Sequence, residues 1–248
     1  MQRPYLPSLP VARNKNCPLC GEEDSASHIL NACKHPEMKA LYIERHNAAG
    51  RLILKEVLQG AKGHHQIIAD IGSDEKMRGL GAFDNRLTNL LTDNDMTQPG
   101  LAPKIREKMR PDIMLVGRTK MNGKRRRPRA QTERSVVHIA EIGYTSEGRY
   151  LGKIAEKQEQ HRQLERILQS KGYIVKALTV ILGSTGGIFT QSMAGLASMG
   201  VDKERCVVLT RKLHTHSVRW LHTIIKKRRC LEQGKLFRRG RMKKLPDR

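Results

Sequence analysis

Apolar and polar positions alternate most regularly between Pro111 and Leu182. Ile113 to Val116 form an unbroken apolar run between Pro111 and Gly117, which predicts a short buried strand entered at Asp112. A second strand is predicted from Val136 to Tyr144. Its period of two puts Val137, Ile139 and Glu141 on one face and Val136, His138, Ala140 and Ile142 on the other. The period then lengthens. From about Leu151 to Ser170, the residues Ile154, Lys157, His161, Leu164 and Leu168 recur at helical spacing, so a helix should turn this stripe toward the sheet. Gly172 closes it, and Tyr173–Leu182, the most apolar run, reads as a central strand. Phe189, Met193, Leu196 and Met199 predict a short helix. Val207, Val208, Leu213, Val218, Leu221, Ile224 and Ile225 predict a longer one from about Asp202 to Lys227.

Upstream the pattern is weaker. Met38, Leu41, Tyr42, Leu52, Leu54, Val57 and Leu58 suggest one or two amphipathic helices from Pro36 to Gln59, with a break at Gly50. Ile67–Ile71 is a short apolar run before a turn at Gly72. Phe83, Leu87, Leu90 and Leu91 suggest a short helix in a loop-rich stretch. Helix, strand, strand, helix, strand, helix is the order of an α/β domain, with a mixed sheet flanked by helices.

Composition adds a partner. The chain has 248 residues, 38% of them hydrophobic, and a net charge of +23. Such a surplus points to nucleic acid. An anionic membrane is the alternative, but no basic amphipathic helix with aromatic anchors stands out. No run approaches the length of a membrane span, and residues 1–16 carry no secretory signal. The segment between the first two predicted strands is crowded with cations against one acid, Glu133. Arg125, Arg126, Arg127 and Arg129 within it, together with Arg110 just before the first strand, are candidate phosphate contacts. A solvated loop or a localisation signal explains the same residues equally well. Residues 231–248, also basic, are expected to be a disordered tail.

Five cysteines are present, and three of them, Cys17, Cys20 and Cys33, cluster with His28. The spacing is Cys-x2-Cys-x7-His-x4-Cys. Cys17 and Cys20 suit a tight turn that presents two thiolates to one ion, with Gly21 at the bend, and His28 and Cys33 complete a tetrahedron. A closed shell of three sulfurs and one nitrogen predicts structural zinc and a reducing compartment, nucleus or cytosol. The competing explanation is a chance group of reduced thiols. A glycine-rich loop at Gly183–Gly187 resembles a phosphate cradle only loosely, since the Lys-Ser/Thr ending is missing.

Two acids on strand-like runs carry the candidate chemistry. A carboxylate in mid-strand is costly to bury unless it is paired or metal-bound. Asp112 and Glu141 are hard oxygen donors suited to Mg²⁺ or Mn²⁺, and on adjacent strands they could share an ion. Lys157 and His161 stand where the helix stripe should be apolar. Lys157 could orient a water or stabilise phosphorane charge, and His161 could move a proton. Alternatively, Lys157 extends from the stripe's edge into solvent.

With these motifs in order, the chain resembles the C-terminal region of the polyprotein of early-branching, site-specific non-LTR retrotransposons. The resemblance covers roughly residues 15–230. In that family a zinc knuckle of this spacing precedes a restriction-like endonuclease with a (Lys/Arg)-Pro-Asp motif, a strand acid and a lysine moved to the next helix. Arg110-Pro111-Asp112, Glu141 and Lys157 match those elements. The resemblance implies a PD-(D/E)xK core over residues 37–230, preceded by an extended lead-in (1–16) and a knuckle (17–36). It further implies catalytic Asp112, Glu141 and Lys157, beside which His161 remains a catalytic candidate on its own chemistry, with Mg²⁺ or Mn²⁺ on Asp112 and Glu141 and zinc on Cys17, Cys20, His28 and Cys33. The implied activity is nicking of target DNA to prime reverse transcription in the nucleus, with element RNA as a second partner. The chain departs from the family in four places, one of them the long basic insert between Asp112 and Glu141. Gly143 stands two residues after the strand acid, Gln160 and His161 replace a Lys-Tyr pair, and no reverse-transcriptase motif occurs. In a complete element the RNA-directed DNA polymerase would lie upstream. Two other functions fit the same residues: a zinc-knuckle nucleic-acid-binding protein with an inactive nuclease fold, and a cellular repair or junction nuclease.

Overall fold

The computed structural model describes residues 16–60, 64–69, 71, 111–118 and 135–242. The expected lead-in before residue 16, the helix near Phe83, and the cationic group Arg110, Arg125, Arg126, Arg127 and Arg129 lie outside the described residues. Contacts divide the chain into two units. One comprises Met1–Ile43 with Arg219–Arg248, and the other Glu44–Val218.

The second unit is a mixed α/β structure around a four-stranded sheet of order β1-β2-β3-β4. The strands are β1 (His64–Ala69), β2 (Ile113–Arg118), β3 (Ser135–Thr145) and β4 (Ile174–Gly183). β1 and β2 are antiparallel, as are β2 and β3, while β3 and β4 are parallel. A parallel pair needs a long crossover. Here helix α2 (Tyr150–Ser170) supplies it between β3 and β4. The alternation read from the sequence divides the core. Met114, Val137 and Ile139 face Leu164, Ile167 and Leu168 of α2. On the other face, Ile113, Leu115, Ala140, Ile142, Val180 and Leu182 form a second core. Ala49, Ile53, Leu54 and Val57 of α1 (Pro36–Gly60) join it, with Leu196 of α3 (Thr190–Ala197) and Leu209 and Leu213 of α4 (Lys203–Met242). β3 is therefore covered on both sides, and each large aliphatic buried there contributes about 1.5–3 kcal/mol.

Helix α1 runs without the break expected at Gly50. The glycine serves close packing instead: a Cβ there would meet Ile71 Cγ2 at 2.6 Å and Ile142 Cδ1 at 3.3 Å. Gly50→Val is expected to destabilise the chain by ~1–3 kcal/mol through overpacking, and a urea unfolding curve checks it. Three amides of the Gly183–Gly187 loop are engaged within the fold, which argues against a phosphate cradle. Gly183 N donates to Gly187 O (2.8 Å), Gly186 N to Gly183 O (3.0 Å) and Ser184 N to Thr145 O (2.9 Å).

The first unit holds the cysteine cluster, the start of α1 and the second half of α4. Its core is Cys17, Leu19, Leu30, Cys33, Met38 and Ile224, with Leu221, Ile225 and Leu231 packed against it. Helix α4 continues to Met242, past residue 231 where a disordered tail is expected, so that boundary moves. Its second half groups with the knuckle, whereas the sequence assigns residues 219–230 to the nuclease domain. Arg228, turned inward from this stretch, ties it to Cys17 and Asp24. No helix among the described residues is long and apolar enough to cross a membrane.

Candidate functional site

Two constellations stand out, one in each unit. In the first, Cys17 N donates to Glu22 O (2.6 Å) and Gly21 N to Cys17 O (2.8 Å), closing a tight turn. Gly21 takes φ +84°, a left-handed conformation that glycine adopts without steric cost. The turn sets Cys17 and Cys20 side by side. His28 opens a single π-helical turn, His28–Ala32, and Cys33 follows it in extended conformation. Cys17 Sγ lies 3.9 Å from Cys33 Sγ, Cys33 Sγ 3.8 Å from Cys20 Sγ, and Cys20 Sγ 3.3 Å from His28 Nε2. All the ligand atoms are within 4.8 Å of one another. Zn–S bonds of ~2.3 Å put tetrahedral sulfurs roughly 3.8 Å apart, so this set can hold a zinc ion.

The electrostatics agree with a bound cation. Burial pushes the Cys33 thiol up to about 12, so a thiolate there needs a positive partner. Burial also opposes ionisation of Cys20, but backbone hydrogen bonds from Glu22 and Lys34 hold its pKa below the usual thiol range. A second partner comes from far along the chain. Arg228, buried, donates from Nη1 to Cys17 Sγ (3.3 Å), from Nη2 to Asp24 Oδ2 (2.8 Å) and from Nε to Glu232 Oε1 (2.6 Å).

The second constellation joins β2, β3, α1 and α2. Asp112 and Glu141 are both buried, and each accepts a backbone hydrogen bond from beside the other. Asp112 N donates to Glu141 Oε1 (3.0 Å), and Ile142 N donates to Asp112 Oδ2 (2.7 Å). The register explains it: Ile113 pairs with Ala140, so the two acids sit at adjoining strand positions. Lys157 Nζ lies 2.8 Å from Glu141 Oε2, and His161 Nε2 2.7 Å from Glu141 Oε1. The His161 contact is a close ion-pair approach without hydrogen-bond alignment, and its Nδ1 is buried with no partner among the described residues. All four residues expected as catalytic are thus brought together. Lys157 is turned in to an acid, so the alternative in which it extends to solvent is set aside.

Burial alone would raise the Glu141 pKa, but His161 and Lys157 outweigh it and hold the carboxyl below its usual range. For Lys157, burial pulls the other way, and the charges of Glu141 and Asp112 keep the amine above its usual value.

Sequence reasoning missed a fifth member. His46, on α1, places Nε2 3.1 Å from Asp112 Oδ2 and 3.2 Å from the Ile142 carbonyl. Burial disfavours its charged form, but the hydrogen bond to Asp112 raises its pKa overall. A signal for it existed: His46, Gly50, Ile53 and Val57 recur at helical spacing, with the histidine on the buried stripe. The expected break at Gly50 hid that stripe. Asp112 Oδ1 has no partner among the described residues, leaving an oxygen for a cation. Glu141 has none to spare, since both of its oxygens are engaged. Among the described residues, the cysteine cluster is the one group of three or more ligand atoms already gathered around a point.

Comparison with protein-family models, curated proteins and solved structures finds no match.

Proposed function

We propose that the chain is a metal-dependent DNA endonuclease with a PD-(D/E)xK core, of the kind carried by the polyprotein of site-specific non-LTR retrotransposons. The observation that carries the reading is the meeting of Asp112, Glu141 and Lys157, from three separate elements, in one buried cluster. Hydrolysis of a phosphodiester needs neutralisation of the scissile phosphate and an activated water. Asp112 and Glu141 would hold Mg²⁺ or Mn²⁺, which supplies both. Lys157, held cationic by the acids, orients a water or steadies charge on the phosphate. His46 and His161 flank the acids and can hold or pass a proton. The product would be a nick whose 3′ hydroxyl primes reverse transcription in the nucleus.

Nicking of supercoiled plasmid with Mg²⁺ tests this. Asp112→Asn is expected to lower the rate by more than the ~10–100-fold typical of losing a residue that merely supports a metal ligand. Equal rates for the variant and the parent chain would overturn the assignment. One observation favours the rival reading, a zinc-dependent nucleic-acid-binding protein with an inactive nuclease fold. Both Glu141 oxygens are already occupied, by Lys157, His161 and the Asp112 amide. That reading predicts salt-dependent DNA binding with no metal-dependent nicking.

A further inference from the structure

We propose that the outward face of α4 from Arg219 to Gln233 is a docking surface for duplex DNA, held in position by the zinc centre through Arg228. The inference deepens the nucleic-acid part of the proposed function and does not depend on the acid cluster. The helix is two-sided here. Leu221, Ile224, Ile225 and Leu231 turn inward onto the knuckle core, and Arg228 lies buried among them. Arg219, His222, Thr223, Lys226, Arg229, Cys230 and Gln233 are exposed on the opposite side. Their spacing keeps them on one stripe through successive turns.

Three permanent cations stand on that stripe, and no described acid pairs with any of them. By contrast, the inward and lateral cations are matched. Arg228 engages Asp24 and Glu232, and Lys227 pairs with Glu37. Acids thus neutralise the side that is packed and leave the outward side uncompensated. Arg219 to Arg229 spans ~15 Å of helix, about four base-pair steps of duplex DNA. The DNA major groove, ~12 Å wide, admits an α-helix, whereas that of duplex RNA is too deep and narrow, so DNA is the occupant that fits. Arg228 connects the surface to the metal, because one guanidinium binds a zinc-ligand sulfur and fixes the helix's rotation.

The test uses the full, zinc-loaded chain and a 20-base-pair duplex without added Mg²⁺, read by fluorescence anisotropy. The triple variant Arg219→Ala, Lys226→Ala, Arg229→Ala is expected to bind roughly tenfold or more weakly, with a log–log salt slope shallower by about 3. Arg219→Lys with Arg229→Lys should retain both affinity and slope. Helicity and zinc content of each variant report that unit 1 is folded. Bound duplex should also slow iodoacetamide alkylation of Cys230, followed by peptide mass spectrometry. Parental affinity and slope in the triple variant, or unchanged alkylation at saturating DNA, would overturn the proposal. Tighter binding of an RNA hairpin of equal length would overturn the choice of DNA. These readouts need neither Mg²⁺ nor nicking, so failure here and failure of the nuclease reading are separate results.

Discussion

Chelation of zinc from the full chain is expected to unfold the knuckle and the second half of α4 while the sheet unit keeps its structure. Hydrogen exchange should report this as loss of protection across residues 16–43 and 219–242, with β3, α2 and β4 unchanged. The reason is the small size of the first unit's core. It rests on a few side chains, and two of them, Cys17 and Cys33, belong to the cluster that could hold zinc. Small units of this kind need a metal or disulfides to close the balance between burial and chain entropy. Structural zinc supplies ~10–16 kcal/mol in zinc-finger peptides, more than so small a core can replace. Charge adds to the dependence. Three thiolates and a neutral imidazole around Zn²⁺ leave a net charge of −1, which the Arg228 guanidinium offsets at 3.3 Å. Without the metal, burial favours the neutral Cys33 thiol. Unchanged protection in residues 16–43, with loss of zinc verified by elemental analysis, would refute this.

The parts of the molecule that were legible in the sequence are those in which local pattern and tertiary role coincide. The unbroken apolar run after Asp112 and the period-two run around Glu141 became β2 and β3, and the stripe of α2 faces the sheet as its spacing requires. The cluster of Cys17, Cys20, His28 and Cys33, which could hold a zinc ion, was legible because a closed tetrahedral site drawn from a short segment restricts spacing tightly. His46 and Arg228 were not. Each is a polar residue on a buried helix face, and its partner lies far along the chain, Asp112 for His46 and Cys17 for Arg228. The basic, weakly apolar stretch 226–234 looks like a tail because Lys227 and Arg228 hold it through ion pairs to Glu37 and Asp24, partners that lie far back in the chain. The glycine at position 50 misled for a related reason: tolerance of close packing and helix breaking have the same local signature.

The second large effect concerns the pair Glu141 and Lys157, whose side chains are 4% and 14% exposed. Removing one partner leaves the other's charge buried, so Glu141→Gln or Lys157→Met alone is expected to cost ~3 kcal/mol in urea unfolding at pH 7. The double variant should recover most of that loss, because replacing both partners removes the desolvation penalty along with the attraction. Simple additivity of the two single effects would contradict a coupled pair. The pH dependence follows from the two shifts. Glu141 has its pKa lowered from 4.5 in the folded chain, so its contribution is present above that value and fades as pH falls through the folded pKa. Lys157 has its pKa raised from 10.5, so its contribution is present below that value and fades as pH rises through the folded pKa. The gap in stability between the parent chain and Glu141→Gln should therefore be widest between those limits and narrow in acid. A nuclease must open this same pair to admit a cation at Glu141, so stability at rest and metal entry compete. The double variant separates them: a folded chain at pH 7 that no longer nicks DNA is the outcome that an active site built on Glu141 and Lys157 requires.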